Sequence, residues 1–123
     1  MRYGSLPGLD KPVSRLVMGS MVFGIEPEKF ETTGKLLDRF VEVGGTTIDT
    51  ARVYAKGSSE RAFGEWLKQS GLRDKLVVIG KGAHHDAQTL ERRVTPAAIH
   101  EDIQTSLHDM QLDTIDIYIL HKD

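Results

Sequence analysis

Leu76-Val77-Val78-Ile79, closed by Gly80-Lys81, is a short apolar run rich in β-branched residues. It is too short for a helix and stops at a glycine, so it reads as a strand. Helical patterns flank it. Upstream, Ser58 or Ser59 can accept a hydrogen bond from a free N–H of a first helical turn. Phe63, Trp66 and Leu67 form an apolar stripe there, and Gly71 ends it. Downstream, a polar loop runs from Gly82 to about Val94. Thr95-Pro96 then predicts a helix start, with Thr as N-cap and Pro at the first helical position. Ile99, Ile103, Leu107 and Met110 give that helix an expected buried face.

The same alternation continues outward. Thr46-Thr47-Ile48 reads as a strand ending at Asp49, and Ile115 to Leu120 as one ending at His121. Leu16-Val17-Met18, closed by Gly19-Ser20, reads as a buried strand. Between it and Thr46, Pro27 precedes a helical face of Phe30, Thr33, Leu37, Phe40 and Val41, stopped by Gly44-Gly45. The order is strand, helix, strand, helix, strand, helix, strand. Helices between strands imply α/β architecture, with parallel strands joined by right-handed crossovers. Residues 1–15, with Gly4, Pro7, Gly8 and Pro12, fall outside this repeat and suggest an N-terminal β-hairpin cap. No inter-domain linker interrupts residues 1–123.

Composition narrows the function classes. A chain of 123 residues fits one domain at most, and 28% charged with 39% apolar residues is ordinary globular usage. A formal net charge of -2 gives no concentrated positive field, so neither nucleic acid nor an anionic membrane is expected as partner. There is no cysteine, which excludes disulfides, thiolate metal sites and a Cys nucleophile within this chain. No run has the length of a signal-peptide core or a membrane span, so a cytoplasmic location is expected.

Three of the strands end in groups that handle protons: Asp49, Lys81 and His121. Parallel strands put their C-terminal ends on one side of a sheet, so these groups should converge at one rim. In α/β barrels that rim carries the active site. Period-2 alternation sets His121 above Ile119, Ile117 and Ile115, and Lys81 above Ile79 and Val77. A charge atop an apolar column needs a partner, and Asp49 and Lys81 on neighbouring strands are the obvious pair. Tyr54 follows Asp49 in the same loop. An ammonium beside a phenol favours the phenolate, which makes Tyr beside Lys a plausible tuned acid.

Other polar residues read more plainly. His84-His85-Asp86 suggests a solvated loop rather than a metal site, because adjacent residues seldom both face one ion. His100, Gln104 and His108 form a solvated helix stripe. Phe63 and Trp66 belong to the core. Gly80-Lys81-Gly82 lacks the spacing of a phosphate loop.

Four segments resemble one family. Asp49-Thr50-Ala51-Arg52-Val53-Tyr54 followed by Gly57-Ser58-Ser59-Glu60 resembles the aldo-keto reductase signature. Ile79-Gly80-Lys81 resembles its lysine-bearing strand. Leu107 to Leu112 with Asp116 to His121 resembles its helix and strand leading to a histidine, and Val13 to Leu16 with Gly19-Ser20-Met21 its first barrel strand. The resemblance implies the first four parallel strands and three helices of a (β/α)8 TIM barrel. It implies a catalytic tetrad of Asp49, Tyr54, Lys81 and His121, with Tyr54 as acid, Lys81 and Asp49 tuning it, and His121 orienting a small carbonyl substrate. It implies reversible NADPH-dependent reduction of an aldehyde or ketone, with NADH as the alternative cofactor. Gly19, Ser20, Met21 and Asp49 would line the nicotinamide end, without the GxGxxG turn that this sequence also lacks. A complete barrel of this kind needs about 250 residues. The competing expectation is therefore a non-catalytic half-barrel that self-associates through open edges or complements the missing half.

Overall fold

The structure, a computed structural model, describes residues 1–122. Strands β1 (Tyr3–Leu6) and β2 (Leu9–Ser14) form an antiparallel hairpin. Its turn uses Gly8 at φ 81°, a left-handed conformation that Gly reaches without steric cost. The expected N-terminal hairpin is therefore present. Next come β3 (Val17–Gly19), α1 (Pro27–Glu42), β4 (Thr47–Asp49), α2 (Ser58–Ser70), β5 (Val77–Gly82), α3 (Pro96–Met110) and β6 (Ile117–Leu120). Strands β3-β4-β5-β6 form one sheet in that order, and every pairing is parallel.

Register assigns the two faces. Gly19 aligns with Asp49, Asp49 with Ile79, Ile79 with Ile117, and Lys81 with Ile119. Side chains alternate along each strand, so Val77, Ile79, Lys81, Ile117 and Ile119 share one face, as the period-2 reading requires. Met18, Ile48 and Val78 take the opposite face, where Ile48 and Val78 are fully buried under the helices. Leu37 and Phe40 of α1 and Phe63, Trp66 and Leu67 of α2 complete this core. The indole Nε1–H of Trp66 donates to Asp38 Oδ1 at 2.9 Å, which satisfies its one polar atom.

Three expectations need correction. First, the stretch Leu16-Val17-Met18 is not buried throughout: Leu16 is 68% and Val17 46% exposed. Strand β3 is a sheet edge paired only with β4, so only Met18, turned toward the helices, packs on the core. Second, Ser58 and Ser59 do not cap α2, whose N-cap is Gly57. Ser59 Oγ donates instead to the Ser20 carbonyl at 2.7 Å, and Ser58 Oγ accepts from the Ile25 N–H at 3.0 Å. The two hydroxyls staple the segment after β3 onto α2. Third, Ile99, Ile103 and Leu107 of α3 are only half-buried; the inner face is Asp102, Ser106 and Met110. Helix α3 approaches α2 so closely at Gly64 that an added Cβ would stand 2.4 Å from the Met110 carbonyl oxygen. Asp102 tolerates burial because Arg93 and the Ala83 N–H satisfy its carboxylate at 2.8–3.0 Å. Apolar periodicity cannot detect a buried carboxylate that finds its partners on other segments. The Thr95 cap does form, with Oγ1 accepting from the Ala98 N–H at 3.2 Å.

The end of the sheet opposite the strand C-termini is tied by one carboxylate. Asp116, just before β6, accepts from Lys11 Nζ at 2.9 Å, from Arg73 Nη1 at 2.8 Å and from the Val78 N–H at 2.8 Å. Lys11 belongs to β2, so this cluster fixes the hairpin to β5 and β6. Burial alone would raise the Asp116 carboxyl, but these donors outweigh it and hold it below the ordinary carboxylate range. Asp116→Ala strands two cations and an amide, and is expected to cost about 3 kcal/mol. The exposed pair of Lys35 and Glu31 is the control: Lys35→Ala should leave stability nearly unchanged. Urea unfolding of both variants checks the contrast.

Candidate functional site

Each functional side chain is placed by backbone bonds at the C-terminal ends of the parallel strands. The Ser20 N–H donates to the Asp49 carbonyl, Thr50 to Ile79, Arg52 to Lys81 and His121 to Gly82, all at 2.8–3.0 Å. Parallel pairing thus continues a residue or more past the strands, and four loops leave from a single rim.

On that rim the Lys81 ammonium is hydrogen-bonded to Asp49 Oδ1. The same Nζ lies 5.1 Å from the Tyr54 ring centroid, within cation–π range. Tyr54 meets His121 edge-on, with ring centroids 5.8 Å apart at 88°. Asp49, Tyr54, Lys81 and His121, spread over 73 positions of sequence, therefore share one cluster. His121 Nδ1 is buried without a partner among the described residues.

Tyr54 owes its place to an unusual turn. Val53 is αR, but Ala55 (φ 48°), Lys56 (φ 52°) and Gly57 (φ 87°) are three successive left-handed residues. That conformation costs an L residue about 1 kcal/mol or more at each non-glycine position. The turn doubles the chain back so that α2 starts directly behind the tyrosine.

The expected nicotinamide residues fare unequally. Gly19 sits beside Asp49 in register, and a Cβ there would meet nothing within 4 Å. Met21 is 66% exposed. Ser20, by contrast, is fully buried, and its Oγ accepts from Ser59 Oγ at 3.1 Å, so its hydroxyl serves the fold. The space beside Gly19 is open, whereas the Ser20 hydroxyl is engaged by Ser59.

His84, which the sequence places in a solvated loop, meets the His121 ring edge-on with centroids 4.9 Å apart and lies tilted by 35° against the His85 ring at 4.1 Å. The sequence signal was only an unusually polar loop after β5. Arg52, within the Asp49–Tyr54 segment, carries no sequence signal of its own. It donates to Glu60 Oε2 and, at 2.9 Å, to Asp109 Oδ2. Burial pushes the fully enclosed Glu60 carboxyl up, while the Ser106 hydroxyl and the Arg52 cation pull it down.

Burial, then the neighbouring His84 and Lys81, lower the His121 pKa below the ordinary imidazole value. The unfolded chain therefore takes up this proton at higher pH than the folded one. The stability contributed by the neutral ring is complete above about pH 6.5 and declines as the pH falls through that value. His121→Asn should flatten the stability profile between about pH 7 and 5. Urea midpoints at several pH values test this; wild-type and variant curves that fall in parallel would refute it.

Comparison with known proteins places this geometry. The family model described as the aldo/keto reductase family matches residues 15–123. Aldo-keto reductase YhdN of Bacillus subtilis is 33% identical over 98% of this chain, and an aryl-alcohol dehydrogenase [NADP(+)] of Phanerodontia chrysosporium is 31% identical over 94%. The chain spans 38% and 34% of the length of these two relatives. Among solved structures, the holo form of aldo-keto reductase AKR11C1 from Bacillus halodurans superposes with a TM-score of 0.78 at 31% identity. That match covers 98% of this chain and 40% of the other. An aldo/keto reductase from Klebsiella pneumoniae in complex with NADP and acetate aligns with a TM-score of 0.70 at 28% identity, covering 89% of this chain and 35% of the other.

Proposed function

Because the chain belongs to the aldo/keto reductase family and folds as the first four strands and three helices of its barrel, we propose that it carries the proton-handling half of a carbonyl-reducing site. The family supports an NADP-dependent oxidoreductase in general; reduction of an aldehyde or ketone to an alcohol is the specific reading. The observation that carries it is the convergence of Asp49, Tyr54, Lys81 and His121 on one rim.

Each residue then has a task. Tyr54 holds the proton that goes to the carbonyl oxygen. The Lys81 cation over its ring favours negative charge on the phenol oxygen as that proton leaves. Asp49 fixes the ammonium, since a lysine at 13% side-chain exposure needs a counter-charge. His121, kept neutral by burial, offers a hydrogen bond to the carbonyl oxygen without adding a second cation. Gly19 and Asp49 would help hold a nicotinamide, which when bound would supply the hydride. NADPH is favoured over NADH because the Klebsiella pneumoniae relative is in complex with NADP and the Phanerodontia chrysosporium relative is an aryl-alcohol dehydrogenase [NADP(+)].

The test is Tyr54→Phe in a version extended to full barrel length. Removal of one positioned acid should lower kcat by about 100-fold or more, with NADPH affinity unchanged. Carbonyl reduction at the unmodified rate would overturn the assignment.

A second reading rests on the sheet edges. Strands β3 and β6 each have one neighbour among the described residues, and Val17, Ile119 and Leu120 expose 45–46% of their surface. Such edges favour pairing with another copy or with the rest of a barrel. NADPH fluorescence enhancement together with light scattering on the 123-residue chain separates the two. Enhancement supports a working cofactor site; a dimer or larger particle without enhancement supports an assembly unit.

A further inference from the structure

The turn that presents Tyr54 cannot hold its own shape. Ala55, Lys56 and Gly57 are all left-handed, and the first two have a Cβ that disfavours it. A free loop with this backbone would relax toward ordinary conformations and carry the Tyr54 ring away from Lys81 and His121. Something outside the turn must keep it closed.

Arg52 is placed to do so. Its backbone N–H donates to the Lys81 carbonyl at 2.9 Å, which fixes its base to the end of β5. Its guanidinium reaches in the other direction and joins two helices. Nη1 donates to Glu60 Oε2 in the first turn of α2 and to Asp109 Oδ2 near the end of α3 at 2.9 Å. Glu60 is fully buried, while the side chains of Arg52 and Asp109 are 15% and 13% exposed, so the cluster is largely shielded from water and salt. The guanidinium also lies on the backbone of the turn: a Cβ added at Gly57 would stand 1.9 Å from Arg52 Nη2. Arg52 therefore closes over the last left-handed residue of the turn and pins it between β5 and the two helices. Both carboxylate bonds leave one nitrogen, Nη1, while Nη2 lies over Gly57, so the guanidinium serves the two helices and the turn at once, a span that a lysine's single nitrogen does not reproduce.

We propose that Arg52, clamped by Glu60 and Asp109, is the positioning residue for Tyr54, setting where the phenol stands against Lys81 and His121. The meaning for turnover rests on the reductase reading; the positioning itself does not, and is measured without any reaction. Arg52 touches neither substrate nor hydride in this scheme. It acts through the turn.

The experiment is NMR on the 123-residue chain. The Lys81 side chain and the His121 ring both lie close to the Tyr54 ring, so their proton shifts carry its ring current. Tyr54→Ala gives the shifts without that ring. Arg52→Gln is expected to move the Lys81 ε-methylene and His121 ring resonances at least half-way to the Tyr54→Ala values, with the signals of buried Ile48 and Val78 in place. Arg52→Lys should restore only part of the wild-type shifts. Should Arg52→Gln unfold the chain, Asp109→Asn removes one clamp and keeps Glu60, and should move the same resonances in the same direction by less. Unchanged Lys81 and His121 shifts in a folded Arg52→Gln or Asp109→Asn chain would overturn the proposal. In a barrel-length version, Arg52→Gln should lower kcat by about 10- to 100-fold with KM little changed. If Tyr54→Phe leaves turnover intact while Arg52→Gln still moves the resonances, the reductase reading fails and the positioning role stands.

Discussion

Parallel pairing of β3 through β6 is the constraint on which everything else in the molecule depends. Once Gly19, Asp49 and Ile79 lie side by side, the ends of the strands cannot avoid one another. Crossover helices return the chain to the same starting edge each time, so every strand delivers its last residue to the same rim. The apolar faces keep that register: a slip of one residue in β4 or β5 would turn Ile48 or Val78 out of the core and carry Asp49 or Lys81 to the helix side. The chemistry at the rim is therefore held by hydrophobic packing beneath it.

Charged groups do a different job at each end of the sheet. At the rim, Asp49 and Lys81 form a single pair beside two aromatic rings, poorly hydrated and open to one side. At the other end, Asp116 gathers Lys11, Arg73 and an amide into a tie that holds the hairpin against the sheet. Behind the rim, Arg52 joins α2 and α3 through Glu60 and Asp109, and Arg93 ties the loop after β5 to Asp102 of α3. All these ties involve shielded side chains, whereas the pairs along α1 are exposed and carry little weight. The polar interior between the helices lets α3 pack with Asp102 and Ser106 inward without a continuous apolar stripe.

The half-open sheet and the assembled rim belong together. The curated relatives matched at 31–33% identity are about three times as long as the stretch aligned here, yet all four proton-handling residues lie within it. The face that carries Ile117 and Ile119 also carries Lys81, and among the described residues no helix covers it. An apolar surface on the face that carries the Asp49–Lys81 pair is why cofactor capture and self-association are the two behaviours to weigh against each other.

The sequence by itself determined the strand–helix alternation, the parallel sheet and the residues at the rim. These follow from local periodicity, glycine and proline punctuation, and the fact that parallel strands end on one side. The N-terminal hairpin was legible for the same reason, in Pro7-Gly8. Tertiary structure alone decided that Ser20, Ser58 and Ser59 are spent on joining the segment after β3 to α2. It also decided that α3 buries a carboxylate, that His84 leans on His121, and that Arg52 reaches two helices. None of these has a local signal, because a polar side chain is buried or exposed according to partners that other elements bring to it. Periodicity reads what a residue avoids, which is water; it cannot read whom a charge will meet.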